Sequence, residues 1–185
     1  MDIILQSFLL IFAGEMGDKT QLLALVLATK FHKPWTIMAG ILVATLLNHA
    51  LAAYFGSLVS TLIDPQYLRW ILAVTFFGFA AWILIPDKDE DFKQNKKFGA
   101  FLTTVIVFFL AEMGDKTQLA TIALGAKFSS SIIAVTFGTT LGMLASNALV
   151  VFYGKKILKK IPMNWVRIFT CILFILFGLA SIFWR

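Results

Sequence analysis

The octapeptide Glu-Met-Gly-Asp-Lys-Thr-Gln-Leu occurs twice, at Glu15–Leu22 and at Glu112–Leu119, each time inside a long apolar run. An ionisable side chain at membrane depth costs about 2.5–3.5 kcal/mol on insertion scales unless it is paired or wetted. Repeating that cost with the same eight residues points to a built site. Glu15, Asp18, Glu112 and Asp115 offer carboxylates, and Thr20, Gln21, Thr117 and Gln118 add hydroxyl and amide oxygens. An all-oxygen set of this kind suits hard cations such as Ca2+, Mn2+ or Mg2+. No paired histidines or thiolates argue for zinc or copper, and Cys171, the sole cysteine, excludes an internal disulfide.

The charges suggest an exchange. Four carboxylates with Lys19 and Lys116 leave a formal −2 at the two motifs. One divalent cation neutralises that charge, and so do two protons. On a continuous helix Glu15, Asp18 and Lys19 share a face, as do Glu112, Asp115 and Lys116. Simple neutralising bridges, Glu15–Lys19 and Glu112–Lys116, are the plainer alternative, but the acids outnumber the lysines two to one. Lys19 and Lys116 either fill the site when no cation is bound or snorkel away from it. Gly17 and Gly114 would admit another helix or an ion close to the backbone, or let the helix kink and free a carbonyl. A phosphate loop does not fit, because Gly-Lys-Thr is not contiguous and no strand precedes it. The Gly-Xaa-Gly-Asp pattern of an intramembrane protease is absent too, with Glu15 and Glu112 in the first glycine's place.

The elements that carry these residues read as membrane helices. Apolar residues make up 59% of the 185, and only 14% are charged, which is membrane usage. Six apolar segments run roughly Ile3–Thr29, Trp35–Ile63, Tyr67–Ile85, Phe98–Ala126, Ser130–Tyr153 and Trp165–Trp184. Each reaches the span of about 20 residues that a transmembrane helix needs, and all are too long for barrel strands. The separators are Lys30–Pro34, Asp64–Gln66, the charged stretch Pro86–Lys97, Lys127–Ser129 and the basic stretch Lys155–Asn164. The start of the chain lacks a basic flank, so no cleaved signal peptide is expected.

The net charge of +6 lies mainly in separators, which favours orientation over nucleic-acid binding. Eleven basic residues follow the first, third and fifth segments: Lys30, Lys33, Lys88, Lys93, Lys96, Lys97, Lys155, Lys156, Lys159, Lys160 and Arg167. Three, Arg69, Lys127 and Arg185, fall on the other side. The excess predicts a cytoplasmic central linker and both termini outside the cytoplasm.

The duplication reaches beyond the motif. Lys30-Phe31 recurs as Lys127-Phe128, His49-Ala50-Leu51 is answered by Asn147-Ala148-Leu149, and Phe77-Gly78 by Phe177-Gly178. The repeat unit is thus three helices, an odd number, so the second copy enters the membrane from the opposite side. That is the inverted repeat of many secondary transporters. Glu15 lies about 14 residues, or roughly 20 Å, into its segment, and Glu112 about as far from the opposite face, so both motifs should meet near the midplane.

In the second segments, Asn48 and His49 match Ser146 and Asn147. Polar groups at that depth face the bundle interior, as added ligands, a proton relay or interhelical hydrogen bonds. His32 is expected in a solvated loop. Trp35, Trp70, Trp82, Trp165 and Trp184 sit near segment ends, as interfacial anchors do. Gly138 and Gly142, four apart, read as a close-packing face.

The paired Glu-Met-Gly-Asp-Lys-Thr motifs, one in each three-helix half, resemble those of the Gdt-type transporters, bacterial relatives of the Golgi manganese/calcium transporter within the cation/calcium exchanger superfamily. The resemblance covers essentially the whole chain. It implies a proton-coupled exporter of manganese or calcium with Glu15, Asp18, Glu112 and Asp115 as the cation site and Thr20, Gln21, Thr117 and Gln118 as the motif's polar tail. The preference for manganese comes from the family's bacterial members.

The expectation is therefore an all-α membrane protein of six transmembrane helices. Residues 1–86 form the first repeat, 87–97 a charged cytoplasmic linker and 98–185 the second repeat. It would sit in a bacterial inner membrane and exchange Mn2+ or Ca2+ for protons by alternating access, with no resident cofactor. Asn48, His49, Asn147, Lys19 and Lys116 are secondary site candidates. Its partners are the cation, protons and the lipid bilayer, with no nucleic acid; no oligomeric state follows. A cation channel or uniporter using the same acids, and a membrane scaffold that transports nothing, are the rival classes. No nucleophile–base constellation supports an enzyme.

Overall fold

The computed structural model describes residues 2–85, 99–154 and 162–183. The linker 87–97, Lys155, Lys156, Lys159, Lys160 and Trp184 lie outside these residues. The regular elements among the described residues are all helical: α1 (Ile3–Glu15), α2 (Lys19–Phe31), α3 (Pro34–Leu62), α4 (Pro65–Trp82), α5 (Ala100–Glu112), α6 (Lys116–Lys127), α7 (Ile132–Tyr153) and α8 (Met163–Ile182), with a 3-10 turn at Ser129–Ser131.

Local signals set the helix ends. The Asp2 carboxylate accepts from Ile4 N at 3.2 Å to cap α1, and Asp64 accepts from Gln66 N at 3.1 Å to cap α4. Pro34 and Pro65 occupy the first turns of α3 and α4, where a missing N–H costs nothing. His32 ends α2 in the left-handed conformation, at φ 52°, and is exposed as expected.

The first segment of each half is not one helix. It breaks after Glu15 and after Glu112 into two short helices, α1–α2 and α5–α6. Among the described residues three stretches are long and apolar enough to cross a membrane individually: Pro34–Leu62, Ser129–Tyr153 and Asn164–Ile182. α1 and α5 are apolar but only 13 residues each.

Packing crosses between the two repeats. α1 lies on α7, where Gly138 meets Ile4 and Ser7 and Gly142 meets Phe8 and Phe12. α3 lies on α5 and α6: Gly40 faces Thr104, Gly56 faces the Ile122 and Ala126 backbone, and Gly125 faces Ala53. α4 lies on α8, with the Phe79 and Phe174 rings 5.7 Å apart and the Phe77 ring over Gly178. Small residues let these backbones close up, because lipid supplies no hydrophobic drive between helices.

One separator residue is placed differently from its sequence reading. Lys127, expected in a loop, is the last residue of α6 and is 4% exposed. Its ammonium donates to Ser181 Oγ at 3.2 Å and lies 5.9 Å from the Phe76 ring centre and 5.2 Å from that of Phe177. Aromatic faces and a hydroxyl replace water around the charge. Trp35, Trp70, Trp82 and Trp165 are exposed.

Gly125→Val should lower the unfolding temperature of the detergent-solubilised protein, as overpacking costs about 1–3 kcal/mol. Gly78→Ala, which meets nothing within 4 Å, should not lower it. Thermal melts of both variants check the contrast.

Candidate functional site

The break in each first segment is a β-turn. Met16 is extended at φ −66°, ψ 115°, Gly17 has φ 81°, and Asp18 N donates to Glu15 O at 3.1 Å. Met113 at φ −66°, ψ 120°, Gly114 at φ 77° and Asp115 N to Glu112 O at 3.2 Å repeat it. These values describe a type II turn, whose third residue requires a positive φ. The glycines therefore serve the backbone; at Gly114 nothing lies within 4 Å of an added Cβ. The expected helical face, with Glu15, Asp18 and Lys19 in line, does not form, because the chain is not helical between Glu15 and Lys19.

The turn separates the roles of the two acids. Glu15 and Glu112 end α1 and α5, while Asp18 and Asp115 precede the first turns of α2 and α6, where the helix dipole favours a negative charge. Neither aspartate makes a side-chain cap bond to its own helix. All four are buried, with Glu15 at 0% and Asp115, the most open, at 8%.

The acids of the two repeats converge. Carboxylate oxygens of Glu15, Glu112 and Asp115 lie within 4.8 Å of one another. Asp18 joins them through Lys116, whose Nζ is 3.2 Å from its Oδ1, and Lys19 Nζ reciprocates at 3.6 Å from Asp115 Oδ1. These two ion pairs run between the two motifs. Thr20 donates to Glu15 Oε2 at 2.6 Å and Thr117 to Glu112 Oε2 at 3.0 Å. The remaining oxygens, Oε1 of Glu15 and of Glu112, are buried and accept no hydrogen bond among the described residues. A buried acceptor left open in this way is the exception in proteins.

The glutamines are engaged through both ends of their amides. Gln21 Oε1 accepts from Gly17 N at 2.8 Å, and Nε2 donates to Ser146 O at 2.9 Å and Ser146 Oγ at 2.7 Å. Gln118 Oε1 accepts from Gly114 N at 2.7 Å, and Nε2 donates to Asn48 Oδ1 at 3.0 Å. Asn48 therefore belongs to the surroundings of the second motif. His49 and Asn147 are fully buried. Asn147 donates to Met143 O at 3.0 Å, and both ring nitrogens of His49 lack a hydrogen-bond partner among the described residues. Ser146 stood in the sequence only as Asn48's counterpart; its contact with Gln21 was not legible there. A cavity of about 10 Å³, room for a single water, reaches Asp18 and Lys116 between Ile83, Ile85 and Arg167.

The arrangement gathers oxygen ligands, two open carboxylate oxygens and matched lysines in an apolar setting. The family described as "Divalent cation/proton antiporter GDT1" matches residues 3–91 and 100–184, nearly the whole chain. The chain belongs to this family. A Vibrio cholerae protein named "Putative manganese exporter" is 45% identical over 183 residues, covering 99% of this chain and 92% of that one. "GDT1-like protein 3" of Arabidopsis thaliana is 28% identical over 211 residues, covering 99% and 71%. "GDT1-like protein sll0615" of a Synechocystis species is 26% identical over 200 residues, covering 95% and 94%. No solved structure matches. The family's work is the transport of divalent cations and protons across a membrane, so the chain is an integral membrane transporter and not an enzyme.

Gly114→Ala should impair folding or transport although its Cβ meets no neighbour, because the left-handed backbone costs a residue with a side chain about 1–2 kcal/mol. Gly114→Asn should lose less, since asparagine tolerates that conformation. Melting temperatures of the purified variants decide between backbone and contact as the cause.

Proposed function

We propose that this protein exports Mn2+ in exchange for protons, binding the ion between the two repeats at Glu15, Asp18, Glu112 and Asp115, with Thr20 and Thr117 orienting the glutamates. The observation that carries this reading is the convergence of buried carboxylates from both repeats, with ligand oxygens of Glu15, Glu112 and Asp115 within 4.8 Å of one another. Manganese is favoured over calcium by the printed name of the Vibrio relative. An oxygen ligand set accepts either ion.

The proposed architecture is six membrane crossings as an inverted repeat, residues 1–86 and 98–185, with α1–α2 and α5–α6 each crossing as a broken helix. Discontinuous helices at the midplane are a recurrent way to hold an ion in transporters. The linker 87–97 would face the cytoplasm of a bacterial cell, and both termini the outside. On that orientation the small cavity beside Asp18 and Lys116 lies toward the cytoplasm, the side from which an exporter loads.

Charge sets the cycle. With Lys19 and Lys116 in place, the four acids carry a formal −2, which either Mn2+ or two protons satisfies. Protonation of Glu15 and Glu112 at the outer side releases the ion, and deprotonation toward the cytoplasm restores the site. The lysines hold Asp18 and Asp115 when the ion has left.

Mn2+ and Ca2+ fluxes into proteoliposomes of the purified protein, with and without an imposed proton gradient, test the reading. Saturable Mn2+ flux that follows the gradient and exceeds Ca2+ flux is expected. Flux indifferent to the gradient would favour a channel or uniporter. Glu15→Gln and Glu112→Gln should each abolish transport while the protein still inserts; full activity in both would remove the site assignment. Lys19→Gln and Lys116→Gln should each tighten Mn2+ binding by about tenfold or more and slow turnover, because removing a positive charge near 4 Å leaves the acids less neutralised. Isothermal titration and flux assays measure both effects.

A further inference from the structure

We propose that Gln21 and Gln118 are positioning residues that clasp each turn to the long helix of the opposite repeat, and do not ligate the ion. The inference rests on the transport reading above. An amide side chain has one oxygen and two N–H donors. In each glutamine the oxygen is aimed at the N–H of the turn glycine, Gly17 at 2.8 Å or Gly114 at 2.7 Å. Ligation through that oxygen would have to share it with the glycine N–H. The nitrogens point across the repeat boundary instead, from α2 to Ser146 on α7 and from α6 to Asn48 on α3.

The two clasps differ. Asn48 takes the Gln118 donor on its oxygen and donates its own Nδ2 to Phe109 O at 3.1 Å. One side chain of α3 therefore holds both arms of the broken pair, α6 through Gln118 and α5 through Phe109. That fixes the angle at the turn between Glu112 and Asp115. Ser146 holds Gln21 by its backbone oxygen at 2.9 Å as well as by its hydroxyl at 2.7 Å, so its side chain is only half of that clasp. Asn147, next to Ser146, bonds within its own helix, to Met143 O. The second turn is thus held through the Asn48 side chain, the first through both the backbone and the hydroxyl of Ser146.

A double-mutant cycle on Gln118 and Asn48 tests the clasp, with gradient-driven Mn2+ flux as the readout. Gln118→Leu and Asn48→Leu each remove the shared bond and one other, and each should lower the maximal rate about tenfold or more, with KM for Mn2+ nearly unchanged. The double variant should lose less than the product of the two single losses, because the Gln118–Asn48 bond is removed in both singles. Ser146→Ala should lose less than Asn48→Leu. A raised KM with an unchanged maximal rate would mark Gln118 as an ion ligand, and multiplied losses in the double variant would show that the two side chains act separately; either overturns the proposal. Gln118→Glu, which keeps the acceptor for Gly114 and removes the donor to Asn48, covers the case in which the leucine variants do not fold, and full activity there would also overturn it. The same cycle read by thermal unfolding in detergent needs no transport, so the clasp stands or falls apart from the transport reading: coupling is expected, and independent effects refute it.

Discussion

Four carboxylates buried in apolar surroundings repel one another and have lost their water, and the two lysines that offset this come from across the repeat boundary. Lys116 of the second motif meets Asp18 of the first at 3.2 Å, and Lys19 of the first meets Asp115 of the second at 3.6 Å. Breaking a buried pair by removing one partner leaves an uncompensated charge, which costs far more than the pair itself contributes. Each aspartate meets the lysine of the other half, which favours bringing the halves face to face. The remaining packing follows from that demand. Gly138 and Gly142 let α7 close on α1, and Gly40, Gly56 and Gly125 let α3 close on α5 and α6, which sets the two turns opposite each other.

The turn is what makes the acids usable. In a continuous helix the backbone groups around Glu15 would bond to one another, and the side chains of Glu15 and Asp18 would stack on one face. The type II turn instead ends one helix at the glutamate and starts the next after the aspartate. Aspartate then sits at a helix N-terminus without spending its carboxylate on a cap, and threonine in the first turn reaches back to the glutamate. One oxygen of each glutamate is tied and the other is open. On the proposed reading, holding an ion and letting it go calls for this mixture of fixed and free ligand atoms.

Much of this was legible in the sequence, and what was not has physical causes. The duplicated octapeptide named the acids, and the apolar runs named an all-helical membrane chain. The helical-face argument failed at Gly17 and Gly114, because spacing rules presume a helix that these glycines interrupt. A signal for the interruption was present: Asp18 and Gln21, like Asp115 and Gln118, have the spacing of a helix-start box, which places a new N-terminus inside each apolar run. Lys127 shows the opposite limit. Lys30-Phe31 and Lys127-Phe128 are the same dipeptide at the same offset, yet Lys30 is exposed and Lys127 is buried. The difference lies in Phe76, Phe177 and Ser181, which are distant in the chain and meet Lys127 only once α4 and α8 have packed.

That packing also bears on what can move. Exchange requires the site to open toward one side at a time. The repeats as written in the sequence are poor candidates for two rigid bodies, since the closest backbone approaches run between them and not within them. Helices that touch through glycine have no side-chain layer to slide over, and displacing one of them clashes at once with the facing backbone. The second turn is open to its surroundings, with Met113 56% exposed and space around Gly114, yet Gln118 and Asn48 hold it. α5 and α6 both touch α3 closely through glycine and are both tied to Asn48, so the angle between them is held from that helix. On the proposed reading, protons or a cation would alter the repulsion between Glu112 and Asp115 across this held turn, and α3 would have to follow any change.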